Sequence, residues 1–118
     1  MAVVAEVMLR RWRWGEADCC TSACDVFQRL HGIDPMAPLR GAYSSRAEAD
    51  ALIQQNGGLE PLVALLTARA GLHEGVGGEG ELGVGETRCL LIGVGHGWVA
   101  KTANGFCTMP RAVRSWRV

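Results

Sequence analysis

Apolar residues at Val3, Val4, Val7, Met8 and Trp12 recur at helical spacing, and Arg10, Arg11 and Arg13 crowd the end of that stripe, where cations suit the negative pole of a helix. This predicts a first helix over residues 2–13. A turn through Trp14-Gly15-Glu16-Ala17 leads to Asp18, a good N-cap residue. Cys19, Cys20, Ala23, Cys24, Val26, Phe27 and Leu30 then form a broad apolar face that stops at His31-Gly32, so the second helix is predicted to be buried. Two prolines mark residues 33–43 as a linker. Ser45 with Glu48 reads as a capping box opening a short, largely surface-lying helix that ends at Asn56-Gly57. Leu59, Leu62, Val63 and Leu66 give a fourth helix, with Pro61 tolerable in its first turn and Ala70-Gly71 at its end.

The second half changes period. From Gly71 to Gly85 there are seven glycines and no helical repeat. Short apolar runs follow at 89–94, 98–101 and 106–109, separated by Gly95-His96-Gly97 and Asn104-Gly105, and they predict strands joined by hairpins. Residues 81–84 and 115–118 add further candidate strands. Helices first and an antiparallel sheet afterwards define an α+β class, with the helices packed on one side of a small C-terminal sheet or half-barrel. Residues 1–118 read as one domain.

Twelve Lys+Arg balance twelve Asp+Glu, so the formal net charge is zero. That excludes the broad basic footprint of a general nucleic-acid binder, and no nucleic-acid partner is expected. The uncharged stretch from Cys89 to Ala100 is shorter than the ~20 apolar residues of a membrane span, so none is expected. At the N-terminus Glu6 precedes the arginines, the reverse of a signal peptide's charge order, which predicts a chain made for the cytoplasm. Five cysteines, an odd number without framework spacing, read as thiols rather than a disulfide scaffold.

A thiol in the first turn of a helix meets unpaired backbone N–H groups and the positive pole of the dipole, both of which favour the thiolate. Cys19, directly after the cap Asp18, is the candidate nucleophile, while Cys20 and Cys24 read as core thiols. His96 lies between two glycines in a turn, His31 at a helix end, and His73 in the glycine-rich segment; Lys101 is expected to point to solvent. Cys19, Cys20, Cys24, Cys89 and Cys107 would suffice for a four-cysteine zinc or iron–sulfur site, but no C-x-x-C pair occurs, so neither metal nor cofactor is expected. The Trp- and Arg-rich ends, Arg11, Trp12 and Arg13 with Arg114 and Trp116, would form a docking surface if the termini lie together.

The run Trp14-Gly15-Glu16-Ala17-Asp18-Cys19 opening a helix, followed by a glycine-rich crossing into short strands, resembles the nucleophile region of NlpC-type, papain-like cysteine peptidases of peptidoglycan. His31-Gly32-Ile33-Asp34-Pro35, Arg40-Gly41-Ala42-Tyr43, Gly57-Gly58-Leu59, Gly80-Glu81-Leu82, Asn104-Gly105-Phe106 and Trp116-Arg117-Val118 are similar to a small family of phage and prophage proteins encoded with tail genes. That family includes the peptidase-like proteins of gene transfer agents, and the similarity covers nearly the whole chain. It implies a papain-like fold in which Cys19 attacks an amide carbonyl and a His at the start of a facing strand shuttles the proton. The second half departs from this pattern: Glu81 takes the place of an Asp, His96 falls in a hairpin turn, and Cys89 or Leu90 stands where the His belongs. The reading that follows is a structural component of a phage-like tail tip or baseplate with an incomplete peptidase site. Such a protein would be assembled in the host cytoplasm, reside in the virion tail, and have other tail proteins as partners. The alternative is an active peptidoglycan-cleaving cysteine peptidase or amidase that uses Cys19, with His96 as base if the hairpin curls over the helix end.

Overall fold

The computed structural model describes residues 2–118. Four helices come first, α1 (Ala2–Met8), α2 (Cys19–His31), α3 (Arg46–Gln55) and α4 (Leu59–Arg69), with a single 3-10 turn at Ala37–Leu39. Six strands follow: β1 (His73–Glu74), β2 (Leu82–Val84), β3 (Leu90–Gly93), β4 (Trp98–Thr102), β5 (Gly105–Met109) and β6 (Arg114–Arg117). They form one antiparallel sheet in the order β1-β6-β2-β3-β4-β5. The α+β class expected from the sequence is the one observed.

α2 is the central helix. The Asp18 side chain accepts from the Cys20 and Thr21 amides at 2.9 and 2.8 Å, the Thr21 hydroxyl accepts from the Asp18 amide at 2.9 Å, and Gly32 closes the far end at φ 74°. Ala23, Cys24, Val26 and Phe27 are buried against Leu90 and Ile92 of β3, Val99 of β4, and Val4, Val7 and Met8 of α1. α4 adds Leu59, Leu62, Val63 and Leu66 to the same core. At α3, Ser45 caps the Glu48 amide at 3.2 Å, while the Glu48 carboxylate reaches back to Ser44 rather than to the cap residue.

α1 ends at Met8, five residues before the expected boundary. The cause is tertiary: the Lys101 ammonium, from β4, donates to the carbonyls of Met8 (2.7 Å) and Arg10, and the Arg10 guanidinium pairs with Asp25 at 2.6 Å. The chain then closes a tight turn in which Arg13 and Ala17 exchange backbone hydrogen bonds of 3.1 and 2.7 Å. Trp12 therefore sits in a loop, edge-to-face with Trp14 at 5.1 Å, and not on a helical stripe.

A second, smaller cluster of Leu91, Trp98 and Ala100 lies apart from the main core and packs with Cys89, Met109 and Ala112. Gly83 makes room for the indole, since a Cβ there would approach Trp98 Cζ3 to 2.7 Å. The glycine-rich segment contributes β1, which pairs His73 with Arg117 and Glu74 with Trp116. Its loop is pinned by Glu81, a buried carboxylate that accepts from the Val76 and Gly77 amides (3.1 and 2.9 Å) and from the Ser115 hydroxyl (2.8 Å). No helix among the described residues is long and apolar enough to cross a membrane.

Candidate active-site cleft

The N-terminus of α2, the β2–β3 turn and the β4–β5 turn converge on a cleft of about 470 Å³, lined by Cys19 with Trp12, Trp14, Arg88, Cys89, Lys101 and neighbouring backbone. Cys19 is the first residue of α2 and half-buried. Its sulfur lies 3.9 Å from that of Cys20. Hydrogen bonding from the Cys20 thiol lowers the Cys19 pKa, and burial and the Asp18 charge oppose this; the Leu90 amide and its own backbone amide add to the lowering. Cys20 moves the other way, its pKa raised by the same contact and then by desolvation. The Cys19 thiol pKa is thus lowered at the first turn of a helix, where such a shift is expected.

Asp18 anchors the site. Its carboxylate, 1% exposed, accepts from the amides of Gly15 (2.8 Å), Cys20 and Thr21, from the Thr21 hydroxyl (3.1 Å) and from the Tyr43 hydroxyl (2.7 Å). Burial, then this bond to Asp18, pushes the Tyr43 hydroxyl well above its usual range. With its lone pairs so occupied, Asp18 is a structural anion that fixes the entry of the chain into α2. Gly15 approaches so closely that a Cβ there would collide with the Tyr43 carbonyl, and its φ of 81° is one that favours glycine.

No histidine lines this cleft. His96 is exposed in the β3–β4 turn, in a different groove with Val94, Trp98 and Pro110. The strand β3 itself, about 10 Å long at 3.3 Å per residue, separates Leu90 beside Cys19 from that turn. The approach of His96 to Cys19 expected for the peptidase reading is therefore not made. His31 packs on Phe27 at 4.4 Å, and its Nε2 lies 2.8 Å from the Gly80 carbonyl. His73 is on β1 at the sheet's edge. At the start of β3, next to Cys19, stands Leu90, 1% exposed and part of the core. Cys89 lies in the cleft with its thiol pKa raised by burial.

Lys101 corrects a second expectation. It is 3% exposed rather than solvated, because the end of α1 presents two carbonyls that its ammonium satisfies. Burial, and then the nearby Arg10 guanidinium, lower its pKa. Arg88 carries the one positive φ (60°) of a non-glycine among the described residues, and that backbone sets it in the turn at the cleft wall. Nothing in its local sequence singles it out.

The terminal Trp/Arg groups do not form one surface. Arg11 and Arg13 are exposed, with Arg13 3.4 Å from Glu16, and Trp12 belongs to the Cys19 cleft. Arg114 instead pairs with Glu74 and stacks on Trp116 at 5.0 Å, in a groove at the β6 end of the sheet. Trp116 is 3% exposed, because β6 lies inside the sheet and its indole fills the core, so it offers no docking face. Cys24 is likewise a core thiol whose pKa burial drives far up. Among the described residues no three His, Cys, Asp or Glu side chains gather as metal ligands.

An α+β domain with a thiol at the N-terminus of its central helix and a cleft walled by tryptophan is the class these features define. The family model described as a domain of unknown function, DUF6950, matches residues 1–118, and the chain belongs to that family. No curated protein and no solved structure matches it.

Proposed function

We propose that this chain is a structural component of a phage-like tail tip or baseplate, with a papain-like fold of the NlpC type whose peptidase site is incomplete. The observation that carries the reading is a thiol at the start of the central helix facing an apolar, buried neighbour. Cys19 occupies a nucleophile's position at the helix start, while Leu90, buried and apolar, holds the strand position where a base would stand. A thiolate can add to a carbonyl, but amide cleavage also needs a proton delivered to the leaving nitrogen, and no histidine lines the cleft to shuttle it. The remaining cleft, with Trp12, Trp14 and Arg88, is then a recognition surface for a neighbouring tail protein or for peptidoglycan. Assembly takes place in the host cytoplasm, and the virion tail is the final location.

The resemblance to tail-encoded proteins supports this assignment, and purified particles test it. Mass spectrometry is expected to find the chain at fixed stoichiometry, and the pair Arg11→Glu with Arg13→Glu, both exposed, should reduce incorporation while leaving the fold intact. Absence of the wild-type chain from the particles refutes the structural role. The second reading, an active peptidoglycan peptidase or amidase, is favoured by the lowered Cys19 thiol alone.

A further inference from the structure

The sheet has two edges. One is β1, only two residues long; the other is β5, Gly105–Met109, whose far side faces no strand. Edge strands are commonly protected by a charge, a proline or a covering segment. Residues 105–109 contain no charge and no proline, and Phe106, Cys107 and Thr108 are exposed. Phe106 is 44% exposed, and Leu9, 61% exposed, lies 3.7 Å from where a Cβ on Gly105 would sit. We propose that β5 pairs antiparallel with β5 of a second copy of this chain, joining the two sheets across a two-fold axis at Cys107.

The register follows from the hairpin. Thr102 and Gly105 pair across a two-residue connection, so they form a hydrogen-bonded pair, as do Ala100–Cys107 and Trp98–Met109 in alternation. The amides and carbonyls of Phe106 and Thr108 therefore point to the free edge. A two-fold axis at Cys107 sets Phe106 opposite Thr108 of the second copy, twice, and satisfies all four N–H and all four C=O groups in four hydrogen bonds. Cys107 then faces its own counterpart as a non-hydrogen-bonded pair, with Cα atoms about 4.5 Å apart, inside the range a disulfide spans. The two Phe106 rings become diagonal neighbours on one face, roughly 7–8 Å apart and within aromatic reach. Gly105 meets Met109 of the other copy, bringing Leu9 toward that apolar end. A second copy fits better than an unrelated strand because the five residues complement themselves about their centre. A chain of zero net charge also does not repel itself.

Sedimentation equilibrium of the reduced chain over a wide concentration range tests this. A reversible dimer is expected. Thr108→Pro removes an edge N–H that the chain's own sheet does not use and places a ring against the incoming strand, so it should raise the dimer Kd about tenfold or more with an unchanged circular dichroism spectrum. Should that variant misfold, Phe106→Lys, which sets like charges at the diagonal, is expected to weaken the dimer by itself. Cross-linking with a short bismaleimide should join wild-type chains and not Cys107→Ser. A strictly monomeric chain, a dimer unaffected by both edge variants, or a cross-link that persists in Cys107→Ser overturns the proposal.

Discussion

Replacing Asp18 by alanine strips the site of the anion around which it is built. Three losses follow. The N-cap of α2 disappears, which costs about 1 kcal/mol in typical helices. The Tyr43 hydroxyl and the Gly15 amide, bonded to the carboxylate at 2.7 and 2.8 Å, are left without an acceptor at a buried position, and each such group costs about 1–3 kcal/mol. The sum, about 3–7 kcal/mol, is a large share of the 5–15 kcal/mol typical of a domain. For a chain of 118 residues it corresponds to a Tm lowered by about 12–28 °C. Thermal and urea unfolding of the wild type, Asp18→Ala, Tyr43→Phe and the double variant form a cycle. Because Tyr43→Phe removes the donor together with its need for an acceptor, it should cost only about 1–3 kcal/mol, and the two changes should be strongly non-additive. An Asp18→Ala protein that melts within about 3 °C of wild type, or fully additive effects, would show that the carboxylate is not the organising group.

Three further outcomes are expected. Lys101→Met should destabilise the chain by about 1–3 kcal/mol and speed amide exchange in α1, since the carbonyls of Met8 and Arg10 lose their ammonium; unchanged exchange there refutes this capping role. Burial pushes the Glu81 carboxyl up, but the Ser115 hydroxyl and the amides of Gly78, Val76 and Gly77 outweigh it and hold the pKa below the usual range. Its contribution is therefore complete above the unfolded carboxylate value near 4.3 and is lost as pH falls through that value toward the folded one. Glu81→Gln should be less stable at neutral pH and show a shallower acid limb in pH-dependent urea unfolding, and an acid limb parallel to wild type contradicts the assignment. Limited alkylation with iodoacetamide at mildly acidic pH, mapped by mass spectrometry, should modify Cys19 first. Cys20→Ala should shift that reactivity to higher pH by removing the thiol donor. Preferential labelling of Cys89 or Cys107 refutes the ordering.

α2 was legible in the sequence because its determinants are local: an Asp cap, an apolar face and a terminal Gly. The strands of the second hairpin were legible for the same reason, although Asn104-Gly105 put their turn one residue late: Ala103 and Asn104 make it, and Gly105 opens β5. What escaped depends on partners distant in the chain. α1 stops at Met8 because a lysine 93 residues away binds its last carbonyls, and no local rule turns a helical stripe off there. The same contact hides Lys101, which a lone cation on a strand gives no reason to bury. β1 exists only because β6 pairs with it, and the Trp116 that looked free for docking is drawn into the core by that placement. In the cleft, Cys19 at the start of α2 could be read from its place after the cap Asp18. Trp12, Arg88 and the Cys20 contact that line and tune it required the fold.

The proposal that Cys19 lacks a base is tested most directly by incubating the purified chain with peptidoglycan and assaying newly released amino groups, beside Cys19→Ala as control. No release above that of Cys19→Ala is expected at any pH between about 5 and 9, the window in which a His or thiolate mechanism would operate. Hydrolysis by the wild type that vanishes in Cys19→Ala would contradict it and make the chain an enzyme.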